Sequence, residues 1–90
     1  MLKILFTKKS LKSLKKLPRN IQIKADNLVY ILSINFFDKK LKTKKLNTIY
    51  ALFSFRITKD YRAIFEFADI KTIKILDIKH RKDIYKKLLK

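Results

Sequence analysis

"IYALFSFRITKDYRAIFEFADIKTIKILDIK", residues 49–79, decides the fold, because its apolar residues recur every second position through three successive runs. In "IYALFSFRI" (49–57), Ile49, Ala51, Phe53, Phe55 and Ile57 alternate with Tyr50, Leu52, Ser54 and Arg56. That period marks a strand with one core face and one wetter face. "TKD" allows a tight turn, and "YRAIFEF" (61–67) alternates again, with Tyr61, Ala63, Phe65 and Phe67 opposite Arg62, Ile64 and Glu66. "ADIK" reads as a second turn and "TIKILDIK" (72–79) as a third strand. Its apolar residues lie on both faces, first Ile73 and Ile75 and then Leu76 and Ile78, as expected for a strand inside a sheet.

Outward from this block the period changes. "LKILF" (2–6) alternates Leu2, Ile4 and Phe6 and reads as a short strand. Thr7 or Ser10 is placed to cap a helix in which Leu11, Leu14 and Leu17 form one stripe among lysines. Pro18 breaks that helix and suits the first turn of another. From Arg19 to about Asn35, Ile21, Ala25, Leu28 and Leu32 recur at helical spacing, with Ile31 beside them. "FFDKKLKTKKLNT" (36–48) has no clean period and reads as a basic loop. The order is β-α-α-β-β-β with a short C-terminal helix, an α+β fold in one domain over residues 1–90. The helical hairpin packs on one face of an antiparallel sheet, the arrangement that buries both apolar stripes together.

Composition bounds the partners. The formal charge is +17, with 24 Lys+Arg against 7 Asp+Glu in 90 residues. Such an excess repels itself in the folded state and favours a polyanion, nucleic acid first, since Lys and Arg release counterions from phosphates. A coding bias toward Ile and Lys is the bland explanation of the same numbers. There is no cysteine, which excludes disulfides, thiolate metal sites and a cysteine nucleophile. The apolar start "MLKILF" is too short for a signal-peptide core or a membrane span, so a cytoplasmic location and no membrane partner are expected. Glycine is absent and proline occurs once, so turns must be built from Asn, Asp, Lys and Ser.

The strand phases place Arg56 and Arg62 on the face opposite the helices. Beyond the third strand stands "HRKDIY" (80–85), with the only histidine of the chain. His80 shares the parity of Leu76 and Ile78, though it lies past the strand's expected end. Were Arg56, Arg62, His80, Arg81 and Tyr85 to gather over the open face, they would make a cationic pocket with one group that titrates near neutral pH. Phosphodiester cleavage by a 2′-hydroxyl needs such a set: a base, an acid, and fixed charge on the developing phosphorane, which Arg supplies in planar, bidentate form. Tyr85 would orient the phosphate or stack on a base. Lys39, Lys40, Lys42, Lys44, Lys45 and Lys82 would grip RNA through phosphates without reading its sequence. The carboxylates show no metal-ligand spacing, and no metal or cofactor is expected. Plainer roles stand beside these: an ion pair of Arg62 with Glu66 or Asp77, a helix-start hydrogen bond for His80, a packed ring for Tyr85, and a solvated loop for 39–45. The four strand phenylalanines, Phe53, Phe55, Phe65 and Phe67, read as core and not as a stacking platform.

"FSFRITKDYRAIFEF" followed by "TIKILDIKHRKDIYK" resembles the C-terminal half of toxins of the RelE/ParE superfamily from type II toxin–antitoxin systems. The opening strand, "LKKLP" at the bend of the hairpin and the basic stretch before the sheet match as well, so the resemblance covers nearly the whole chain. It implies a RelE-like fold and a metal-independent, ribosome-dependent endoribonuclease that cleaves mRNA and contacts ribosomal RNA. It also implies a cognate antitoxin, here bound through an acidic segment, with the toxin monomeric or in a hetero-oligomer with that antitoxin. ParE-like members instead poison DNA gyrase and generally lack the catalytic residues of RelE. By position, Arg62 matches the arginine that stabilises the scissile phosphate, and Arg81 or His80 the C-terminal general acid. Tyr85 matches the tyrosine that helps place the substrate, and Arg56 an arginine of several related ribonucleases. One departure is plain: Phe53 and Phe55 stand where RelE has two lysines. The base is then His80, with Arg81 as acid, or Glu66. A gyrase poison and an inactive basic binding protein are the alternatives.

Overall fold

The computed structural model describes residues 1–46 and 49–83. The elements run β1 (Lys3–Phe6), α1 (Lys8–Lys15), α2 (Arg19–Ile34), β2 (Lys44–Lys45), β3 (Phe53–Arg56), β4 (Tyr61–Asp69) and β5 (Thr72–His80). Residues 81–83 are helical and open the expected C-terminal helix, the rest of which falls outside the described residues. The strands form one sheet in the order β1-β5-β4-β3-β2. It is antiparallel except at one edge, where β1 runs parallel to β5. Residues 36–46 are more than a loop: Leu41 is fully buried, its carbonyl accepts the Arg56 amide at 2.8 Å, and β2 extends the sheet beyond β3.

The main core lies between the helices and one sheet face. Leu17, Ala25, Leu28 and Leu32 pack there with Leu41, Phe55, Ile57, Ala63, Phe65, Ile73, Ile75 and Ile78. The phenylalanines are core as expected: Phe53 stacks on Phe65 at 5.5 Å and meets Phe67 edge-on at 5.9 Å. Ile49 and Leu52 depart from the expected alternation. Ile49 is 92% exposed because β3 begins only at Phe53. Leu52, expected on the wetter face, is instead buried in a second small cluster with Leu46, Ile64 and Leu76. Leu11 is 40% exposed, and α1 approaches the sheet through the fully buried Ser10 and through Leu14, with Leu17 buried just past its end. Small serines let the helix come close.

One irregularity governs everything downstream. Ile64 pairs with Asp77 and Phe65 with Ile75, so Leu76 is an extra residue in β5, a bulge. Its carbonyl is not wasted: the Thr7 hydroxyl donates to it at 3.0 Å while accepting the Ser10 amide as the cap of α1. The bulge flips side-chain parity along β5. Ile78 therefore faces the helices together with Ile73 and Ile75.

Candidate nucleic-acid interface on the open sheet face

Directly opposed residues of an antiparallel pair point to the same face, with Cβ atoms about 4.5–5.5 Å apart. Arg56 opposes Arg62 across β3 and β4, and Arg62 opposes Lys79 across β4 and β5. Three cations thus stand in one row across three strands, on the face the helices leave open. Like charges in that position destabilise a sheet. In the next row Ser54, Ile64 and Asp77 stand side by side, with Lys44 opposite Ser54 at the edge.

Each member of the row is held differently. Arg62 is 7% exposed, and its NH1 donates to the carbonyls of Thr58 at 2.8 Å and Lys59 at 2.9 Å, bracing the β3–β4 turn. That turn has no glycine; the Thr58 hydroxyl accepts the amides of Asp60 and Tyr61 in its place. Arg56 is half-buried, and its Nε is buried without a hydrogen-bond partner. An orphaned buried donor is costly. Lys79 reaches the Asp77 carboxylate at 3.8 Å.

The structure brings Arg56 and Arg62 together as expected and corrects the place of His80. His80 opposes Tyr61, which packs toward the helices, and the two rings meet edge-on at 5.8 Å. The histidine therefore stands on the other face from Arg56 and Arg62, and Lys79 takes the place expected of it. Its Nδ1 accepts the Lys82 amide at 3.3 Å, the helix-start bond that was the plainer reading. The Arg81 amide donates to Asp60 O at 2.7 Å, which ties the end of β5 to the turn that Arg62 braces. Glu66 shares the face of Arg62 but opposes Lys74, about 13 Å along the strand, too far to serve the same phosphate. The plainer reading of Arg62, an ion pair with Glu66 or Asp77, gives way to hydrogen bonds to the turn carbonyls. Lys39, Lys40, Lys42, Lys44, Lys45 and Lys82 are all exposed, with Lys44 on the open face and Lys45 opposite Phe53 on the other. Tyr85 lies outside the described residues. Among the described residues no group of three His, Cys, Asp or Glu is placed to hold a metal ion.

Sequence reasoning missed Lys79. The signal was present: Ile73, Ile75 and Ile78 cannot share one face unless the strand carries an extra residue between them.

A family model for the ParE toxin of the type II toxin–antitoxin system parDE matches residues 4–85. No curated protein matches the chain. Solved structures do. The RelE–RelB complex from Pyrococcus horikoshii is 27% identical, with 89% of this chain and 94% of that one aligned at a TM-score of 0.75. The RelB–RelE antitoxin–toxin complex from Methanococcus jannaschii is 26% identical over 92% of this chain and 96% of that one, at a TM-score of 0.74. A YoeB/ParE toxin from Agrobacterium tumefaciens shares the fold over 89% of this chain and 99% of its own, with a TM-score of 0.77 at 16% identity.

Proposed function

Since the chain belongs to the ParE toxin family of type II toxin–antitoxin systems, within the RelE/ParE superfamily, we propose that it is a toxin that stops translation by cutting mRNA on the ribosome. The observation that carries this reading is the row Arg56–Arg62–Lys79 on the open sheet face. A fixed cationic row suits a phosphodiester whose charge grows as the 2′-hydroxyl attacks. Arg56 and Arg62 hold the scissile phosphate, and the strand of substrate runs across β3, β4 and β5. Arg81, directly after β5, serves the leaving 5′-oxygen, and Tyr85 keeps the substrate-placing role that the family resemblance gives it. His80 acts on this site through its bond to Lys82, which fixes where the C-terminal helix starts. The scheme uses no metal. The exposed lysines of 39–45 and Lys82 add contacts to ribosomal RNA.

The solved relatives from Pyrococcus and Methanococcus are toxin–antitoxin complexes, and this chain has a surface that fits such a partner. Ile23, Tyr30 and Ile34 lie exposed along one stripe of α2. An acidic amphipathic segment of a cognate antitoxin would cover the stripe and offset the +17 charge.

A second reading has its own support. The matching family model is that of ParE, and the one histidine is turned from the cationic row. Both favour a toxin that poisons DNA gyrase. Induced expression with transcript 5′-end mapping separates the two. The ribonuclease reading expects new 5′ ends within translated codons. Intact transcripts together with a DNA-damage response would establish the gyrase reading in its place.

A further inference from the structure

We infer that Lys79 is a phosphate ligand of the open face, positioned by Asp77, and that it extends the binding site from the phosphate held by Arg56 and Arg62 to a neighbouring one on the same strand. The inference rests on the reading of this face as an RNA-backbone surface and not on cleavage itself.

Three observations carry it. The bulge at Leu76 turns Lys79 onto the open face, directly opposite Arg62, where a cation meets an unfavourable like charge. Such a neighbour is tolerated without loss when a polyanion spans the row. Next, Lys79 is partly sheltered, its side chain 28% exposed, and it is steadied by Asp77 Oδ2 at 3.8 Å. Finally, Asp77 is itself tied to the helical layer. Ser13 of α1 donates to Oδ1 at 3.0 Å, Lys9 of α1 lies 3.5 Å from Oδ2, and the Ile78 amide also donates to Oδ1 at 2.9 Å. Asp77 is therefore anchored from outside the row, and through it α1 sets where Lys79 stands. Adjacent strands are about 4.8 Å apart, so the row from Arg56 to Lys79 is about 10 Å wide. That exceeds what one phosphate needs and leaves Lys79 free to meet the next.

The test is equilibrium binding of a fluorescent, uncleavable 2′-deoxy oligonucleotide of mixed sequence to the full-length protein, followed against salt concentration. For a single strand, the slope of log affinity against log salt changes by about 0.7 for each phosphate that the protein ceases to neutralise. Lys79→Ala is expected to flatten the slope by that amount, and Lys79→Arg to restore it. Lys24→Ala, an equal charge loss on exposed α2, should leave the slope alone. Asp77→Asn gives the sharper arm. Removing a negative charge without a positioning role would tighten binding to a polyanion; if Asp77 positions Lys79, binding is unchanged or weaker. Thermal melts confirm that each variant is folded. Wild type that binds with a slope equal to that of Lys79→Ala, or Asp77→Asn that binds more tightly, overturns the inference while leaving the ribonuclease reading untouched. Binding without cleavage of RNA on ribosomes leaves the inference standing and removes the ribonuclease reading.

Discussion

The imidazole of His80 serves as a helix-start acceptor, its Nδ1 taking the Lys82 amide at 3.3 Å. Replacing it by Ala should therefore cost about 1 kcal/mol, the usual effect of a lost helix cap. Asn can supply the same acceptor and cannot shuttle a proton. The expected result is that His80→Asn keeps both the melting temperature and cleavage within a few-fold of wild type, while His80→Ala loses stability. A hundredfold loss of cleavage in a stable Asn variant would return the histidine to the chemistry. Arg62 carries two duties, since the guanidinium that faces the row also braces the turn. Its removal confounds folding with function, and Arg56 is the cleaner probe.

At the scale of elements, a single bulge explains what was and was not legible in the sequence. Alternation located β3, β4 and β5 and put Arg56 and Arg62 on the open face, because β3 and β4 pair there without interruption. It left His80 open to joining those arginines and overlooked Lys79, since Leu76 shifts the phase of β5 by one residue. The signature was the change from odd to even positions between Ile75 and Ile78, read as burial on both faces. β2 left no period because it has two residues, and Leu41 is an isolated anchor in a basic segment. The turns show how the fold manages without glycine. Lys42 has φ 49°, the left-handed region. That conformation costs a non-glycine residue on the order of 1 kcal/mol or more, so Lys42→Gly should raise stability by roughly 0.5–1 kcal/mol in chemical denaturation. A lower stability would show that the lysine side chain is held there by something worth more than the strain.

The β4–β5 turn makes a further prediction with a definite sign. The Asp69 carboxylate accepts the Lys71 amide at 2.8 Å, and that bond, with help from Thr72, holds its pKa below the usual 3.8. A depressed carboxylate contributes stability that is complete above the unfolded value and is lost as pH falls through the folded one. The Lys71 amide resonance should therefore titrate with a midpoint below 3.8 and be flat in Asp69→Asn. A midpoint at or above that value would mean that the turn is not closed this way in solution.

Over the whole molecule, the two faces of the sheet divide the work. The helices and the phenylalanine layer occupy one, and the cationic row, with the small Leu46–Leu52–Ile64–Leu76 cluster beside it, occupies the other. In the proposed reading, the +17 charge favours a polyanionic substrate and an acidic antitoxin alike, so that either would weaken binding of the other by neutralising it. No described helix is long and apolar enough to cross a membrane. The central claim is that mRNA is cut on the open face, with Arg56 stabilising the charge that develops on phosphorus. Cleavage of a translated mRNA by the purified toxin with programmed ribosomes, comparing wild type with Arg56→Ala, tests it most directly. Loss of one preorganised donor to a developing oxyanion usually slows a reaction about 10²–10³-fold. Wild type should cut within codons and a folded Arg56→Ala should be slower by roughly that factor; an uncut message, or equal rates for the two proteins, would contradict the claim.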